Sequence, residues 1–255
     1  MAANHYWVLV GLLVGGSAAH ADVAEPAAPP PASAPGWTFA FGPYVWASSV
    51  AIDVSFGPLN TGVDIGFVSL VQHTRYGAEV ALEARHGRFG ITADVLYGAA
   101  AIEAATEIAS VMTSITGTAG SLLLDSLVGY DVLGGEDRMV SLEARAGVRY
   151  QRTTVQGQLG VAGFALQSPE IVDDGADLIA GARAAVRPTR WLQLAGAFDI
   201  GVVGASQTTW STTVDASVRL ASWFSVAAGW RSLTMQRSSV SQEMRGPRLA
   251  LQFVF

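Results

Sequence analysis

Apolar residues alternate with polar or small ones along most of this chain, in long segments that keep a period of two. In residues 76–85, Tyr76, Ala78, Val80, Leu82 and Ala84 take turns with Gly77, Glu79, Ala81, Glu83 and Arg85. A His-Gly-Arg turn follows. Then Phe89, Ile91, Ala93, Val95 and Tyr97 take turns with Gly90, Thr92, Asp94, Leu96 and Gly98. Alternation over this length predicts β-strands with one apolar and one polar face. The pattern returns in 139–151, 176–187 and 209–220. Ten strands are predicted, at about 37–52, 75–86, 88–102, 110–132, 139–152, 175–187, 190–204, 207–221, 223–236 and 246–255, the fourth alternating least well. Each runs to roughly ten residues or more, above the ~5–6 usual in soluble proteins and long enough to cross a bilayer at a tilt.

The predicted connections are short at 86–88, 133–138, 187–189 and 221–222, and long at 53–74, 153–174 and 237–245. Short turns on one rim and long loops on the other are the layout of an outer-membrane barrel, with the short turns in the periplasm. The connection near 204–207 is short where that layout expects a long one. Residues 64–72, "DIGFVSLVQ", are apolar at helical spacing and are expected to form a short helix packed over the barrel mouth. The fold class expected is an all-β, antiparallel, up-and-down transmembrane barrel of about ten strands, with eight or twelve as alternatives.

Both ends agree with export. Residues 7–16, "WVLVGLLVGG", form an apolar core, and "SAAHA" ends in Ala-x-Ala, so 1–21 reads as a signal peptide. Residues 22–36 are rich in Pro and Ala and read as a disordered spacer, with the barrel at 37–255. The chain closes on "PRLALQFVF". Leu249, Leu251, Phe253 and Phe255 fall on one face there, and Arg248, Ala250, Gln252 and Val254 on the other.

Composition decides which face meets what. Half of the 255 residues are hydrophobic, 14% are charged, and the mean hydropathy is +0.34. Beyond the N-terminal region no run reaches the ~18 apolar residues of a membrane helix. The apolar face recurs on nearly every strand. Aromatics gather near predicted strand ends: Trp37, Tyr44, Trp46, Tyr76, Tyr97, Tyr130, Tyr150, Trp191, Trp210, Trp223, Trp230, Phe253 and Phe255. That suits interfacial girdles, with the apolar face toward lipid. By parity the lumen receives Glu79, Glu83, Asp94, Asp125, Asp131, Glu143, Asp177, Asp199 and Asp215. Against these nine acids stand Arg85, Arg145, Arg149, Arg183, Arg187, Arg219, Arg231 and Arg248. A barrel of this size is only slightly wider than the eight-stranded kind that side chains fill. Opposite charges in so narrow a space are expected to pair, because a buried charge left alone is costly.

The Ala-x-Ala signal, the alternating strands, the aromatic girdles and the final Phe255 resemble Gram-negative outer-membrane β-barrel proteins. The opening "GWTFAFGPYVWASSVAI" and the later "HGRFGITADVLY" look like a group of small proteobacterial outer-membrane proteins. The resemblance covers 37–255. It implies an outer-membrane location, and a final strand of Leu249, Leu251, Phe253 and Phe255 that the assembly machinery reads. It says little about activity, since one fold hosts many functions.

Candidate chemistry is sparse. With no cysteine there is no disulfide framework or thiolate metal site. No metal cluster, phosphate-cradling loop or nucleophile elbow is present, and no cofactor is expected. The net charge of −6 argues against nucleic acid. All 15 basic residues are arginine. Arg75, Arg152, Arg231, Arg237 and Arg245 are placed near the outer rim, where a guanidinium could grip lipopolysaccharide phosphates. His73 in the first outer loop is the one histidine placed for barrel catalysis, and it reads more simply as a solvated loop residue; His86 falls in a periplasmic turn. "DDGAD" (173–177) offers carboxylates but lacks the glycine and distal Glu of a calcium loop, so a polar outer loop is the simpler reading. The leading function is a structural barrel or narrow small-solute channel with a charge-paired lumen. An adhesin-like or lipopolysaccharide-contacting surface protein is one alternative, and a membrane-embedded lipid or peptide hydrolase another. The expected partners are outer-membrane lipids, lipopolysaccharide and the assembly machinery, and a monomer is expected.

Overall fold

The computed structural model describes residues 36–56, 59–65, 74–108, 111–133, 139–161, 164–167, 170–237 and 240–255. The expected signal peptide, nearly all of the spacer, His73 and most of the expected 64–72 helix lie outside the described residues. Asp64 and Ile65, which open that stretch, belong to a strand instead.

Ten strands make the wall: β1 (Thr38–Trp46), β4 (Thr74–His86), β5 (Phe89–Ile108), β6 (Val111–Asp131), β7 (Val140–Val161), β9 (Ile171–Val186), β10 (Leu192–Gly204), β11 (Thr208–Ala221), β12 (Phe224–Gln236) and β13 (Val240–Val254). Each pairs antiparallel with the next, and β1 returns to β13 to close the ring. Three shorter strands lie at the outer side: β2 (Ser49–Phe56), β3 (Leu59–Ile65) and β8 (Phe164–Gln167). The barrel follows from the pattern, because a sheet in lipid must pair every edge or leave backbone groups unsatisfied. At the closing seam Phe39 and Phe255 exchange backbone hydrogen bonds of 3.1 and 2.8 Å.

Partner-to-partner register fixes the tilt. The path from Thr38 runs through Arg85, Gly90, Gly129, Arg145, Gly181, Asp199, Ser211, Leu233 and Met244, and returns at Val50. From residue 38 to residue 50 the sheet has slipped 12 residues along the strand, the shear that a tilted barrel requires. A continuous outer belt results, with Phe41, Val45, Leu82, Ile91, Val128, Leu178, Phe198, Val214 and Leu249 all exposed. Below it lie Trp37, Phe89, Tyr130, Trp191, Trp223 and Phe255, also exposed. The first periplasmic turn is tight: His86 pairs Phe89, and Gly87 between them takes φ 59°. That left-handed conformation is cheap only without a Cβ.

Several boundaries differ from those expected. The predicted 37–52 strand is two pieces in one register, β1 and β2, both paired to β13. The interruption sits opposite Pro247, which has no N–H to give; Ala47 still donates to the Pro247 carbonyl (2.8 Å), and Ser48 turns back to Trp46 (2.8 Å). Strands β5, β6 and β7 run 20, 21 and 22 residues, against 13, 14 and 13 for β10, β11 and β12. Much of the expected loops 153–174 and 237–245 is therefore strand. "DDGAD" lies inside β9 rather than in a loop. The wall is tall on one side and low at the 204–207 turn, which accounts for the short connection there.

Candidate functional site: the charged interior

The inward face of the wall carries the acids and arginines placed there by parity, and the structure joins most of them. Near the periplasmic end, Arg85 bonds Glu83 on its own strand and reaches Glu143 at 2.6 Å, while Arg183 meets Glu83 at 3.4 Å. Strand β4 thus connects to β7 and β9 across the lumen. Arg187 donates to Gln193 at 3.0 Å.

Arg149 is the centre of the middle layer and is fully buried. Its Nε and Nη2 grip the two oxygens of Asp125 at 2.8 Å each, a bidentate pair. Its remaining donors go to Thr209 (3.2 Å) and Ser211 (3.1 Å) on β11. Ser211 donates to Asp199 (3.3 Å), which also takes Arg145 at 2.8 and 2.9 Å. From the far wall Arg231 donates to Asp94 (2.8 Å) and to the Tyr44 hydroxyl (2.9 Å), and stands 3.6 Å from Asp125. Tyr44 in turn donates to Asp94 at 2.5 Å. The Arg231 guanidinium lies over the Trp46 ring, 5.0 Å from its centre. Arg248 sits over the Tyr44 ring at 4.7 Å, with Asp215 3.6 Å away, beyond hydrogen-bond reach. These partners offset the desolvation that a lone buried charge would suffer.

Glycines make this network possible. A Cβ at Gly129 would collide with the Glu143 side chain, one at Gly181 with the Asp199 carboxylate and the Phe198 carbonyl, and one at Gly229 with the Asp215 carboxylate and the Val214 carbonyl. Each acid therefore folds flat over a gap in the neighbouring strand. Farther out, Gln151 on β7 donates to Gln242 on β13, across the lumen, and to Thr153 at 3.1 Å.

Other expected residues go elsewhere. Asp131 accepts the Leu133 N–H at 3.1 Å. Asp177 holds the outer turn through the N–H (2.7 Å) and hydroxyl (2.6 Å) of Ser206. Glu79 is half-buried on β4, with one carboxylate oxygen buried and making no hydrogen bond within the described residues. Arg219 is exposed at the end of β11. The five outer-rim arginines do not converge. Arg231 is buried in the network, and Arg237 turns to Asp173 at 3.0 Å. Arg152 is exposed on β7, Arg245 lies 3.4 Å from Glu243 on β13, and Arg75 is at the outer end of β4. His86 is exposed, its ring 5.3 Å from Trp37. Among the described residues no group of three or more acids and histidines is placed to hold a metal ion. At the C-terminus Leu249, Leu251 and Phe255 are exposed, while Phe253 packs among Phe41, Trp223 and Phe224.

Sequence reasoning missed Thr209, Ser211, Gln151 and Gln242, although their parity matches that of the charges beside them. It also placed Tyr44 and Trp46 in the aromatic girdle. Both are buried inside at about 5% exposure, because β1 turns its even positions inward.

A closed antiparallel barrel with a lipid-facing belt and a filled, charged interior makes this chain an outer-membrane β-barrel. Similar solved structures include the outer membrane protease OmpT from Escherichia coli, with TM-score 0.56 and 12% identity, covering 87% of this chain and 97% of that one. The translocator domain of the autotransporter NalP from Neisseria meningitidis gives TM-score 0.49 at 10% identity, covering 87% and 89%. Ail, the attachment invasion locus protein of Yersinia pestis, gives 0.35 at 9%, covering 86% and 99%. With OmpT what is shared is the fold. No protein-family model matches the chain, and no curated protein matches it in sequence.

Proposed function

We propose that this protein is a closed outer-membrane barrel, stapled across its lumen, that passes small solutes along its axis at most. The observation that carries this reading is the set of struts joining opposite walls: Arg183 to Glu83, Arg231 to Asp94, and Gln151 to Gln242. A general-diffusion pore needs a water-filled centre, which comes with many more strands. The test is solute entry into liposomes carrying the refolded barrel. Sugars should enter no faster than into empty liposomes. Swelling at the rate of an open pore rejects the proposal.

One observation favours a second role beside it. β5 and β6 each run about twice the ~9–11 residues that a spanning strand needs, so their paired ends stand beyond the bilayer with β7. Such a wall supports a surface-contact role, to lipopolysaccharide or to another cell. Removing residues 102–117, whose ends pair as Ile102 and Gly117, should leave barrel assembly intact and abolish that contact. Unchanged binding to lipopolysaccharide and to cells rejects this role.

A further inference from the structure

The outward face of the tall wall changes character partway along its strands. On β7 the positions turned away from the lumen begin with Val140, Leu142, Ala144, Ala146 and Val148, all exposed, and the half-buried Tyr150. Residues 140–150 match the ~9–11 that cross a bilayer. The next outward positions are Arg152 and Gln156, both exposed, with the half-buried Thr154 between them. The alternation itself is unbroken, since Gln151 and Thr153 stay buried on the inward face. Strand β6 changes in the same way. Tyr130, Val128 and Leu124 are exposed, with Ser126 among them; Leu122 ends the apolar run, and Gly120 and Thr118 follow. On β5 the belt ends at the exposed Tyr97, which pairs with Leu122, and Leu122 pairs in turn with Arg152.

These strands leave the hydrocarbon there without ending, so their outward face continues into the layer outside it. In an outer membrane that layer is the phosphorylated sugar of lipopolysaccharide. The groups the face presents suit that chemistry. Arg152 makes no ion pair among the described residues. Asp174, opposite it on β9, takes the Tyr150 hydroxyl at 3.4 Å. Three other rim arginines are committed: Arg231 to Asp94, Arg237 to Asp173, and Arg245 beside Glu243. Above Arg152 the Thr154 hydroxyl lies over Gly120, where a Cβ would stand 2.8 Å from it. Gln156 pairs with Thr118. By register the same face runs on through Thr116 with Gln158, and Gln158 with Gln167. One cation followed by neutral hydroxyls and amides matches a phosphate followed by sugar hydroxyls. A guanidinium takes phosphate oxygens in pairs, and Thr and Gln both donate and accept.

We propose that this face binds the lipopolysaccharide of the surrounding membrane, with Arg152 holding a phosphate of its inner sugars and Thr154, Thr118 and Gln156 hydrogen-bonding the sugars above. This rests on the surface-contact reading and narrows it to the inner, phosphorylated part of lipopolysaccharide. The test is native mass spectrometry of the detergent-solubilised barrel. One probe is purified lipopolysaccharide truncated to its phosphorylated inner sugars, and the other is the same material after phosphatase treatment. The parent should retain the untreated probe, and Arg152→Gln should weaken that binding about tenfold, as expected for one charge-assisted contact. Phosphatase treatment should weaken binding to the parent by a similar factor and change binding to Arg152→Gln little. Asp174→Asn, which removes the neighbouring negative charge, should tighten binding of the untreated probe. Thr154→Ala with Gln156→Ala should weaken both probes alike. An Arg152→Gln barrel that binds as the parent does, or that loses as much to phosphatase as the parent, overturns the proposal. Should the 102–117 deletion lose lipopolysaccharide while Arg152→Gln keeps it, the surface-contact reading stands and this site falls. Should the deletion keep it, both fall.

Discussion

On the β7–β11 side of the interior, the charged and polar side chains are held by direction, with Ile179 the large apolar residue among them. Arg149 meets Asp125 in two parallel bonds and Thr209 and Ser211 in two more. On the β12–β2 and β5–β6 side, Leu96, Leu123, Leu233 and Met244 are held by contact alone. Both sides fill the same narrow tube, and they fail differently. A hydrogen-bonded charge has no tolerable substitute once its partner is gone, whereas an apolar cluster loses area and keeps its neighbours. The directional side therefore sets the spacing of opposite walls, and the apolar side fills the space between them.

Substitution on each side tests that contrast. Arg149→Ala should have the largest effect, about 3–5 kcal/mol, because it leaves Asp125 buried and short of its main partner. The readout is the urea midpoint of unfolding from vesicles, and a loss under about 1 kcal/mol would mean the ionic side is not what holds the walls. Leu123→Ala should cost about 2–3 kcal/mol, from lost burial and a cavity that neighbours partly fill. It should leave solute exclusion unchanged, since no strut is touched; leakage in this variant would erase the distinction between the two sides. Gly129→Ala should cost about 1–3 kcal/mol, as the new methyl pushes the Glu143 side chain out of its gap. Pairing it with Glu143→Ala should recover most of that loss, and failure to recover would place the strain elsewhere.

The alternation that makes the chain legible explains both what sequence reading reached and where it stopped. Parity alone put Arg149, Asp125, Asp199 and Arg231 inside, because a period of two leaves only two faces to choose from. It could not say that Arg149 meets Asp125 while Arg145 meets Asp199. That pairing depends on a 12-residue shear summed over ten strand registers, a property of the closed ring. Strand ends were misplaced where alternation continues past the bilayer, as in β5 and β7. The gap between β1 and β2 is set by Pro247, some 200 residues away in sequence and opposite in space. Tyr44 and Trp46 looked like girdle residues because aromatics at a strand end commonly are. Their parity pointed inward, and parity prevailed. Arg231 and Arg237 looked like rim cations, but each lies within reach of an inward carboxylate, Asp94 and Asp173.

The central claim is that charged struts between opposite walls keep the lumen shut. Single-molecule current across a planar bilayer tests it most directly, comparing the parent barrel with Arg231→Ala combined with Arg183→Ala. The parent should hold the baseline at moderate voltage, and the double variant, with two struts gone, should show discrete conducting steps. A steady ohmic current through the parent, or a double variant as silent as the parent, would contradict it.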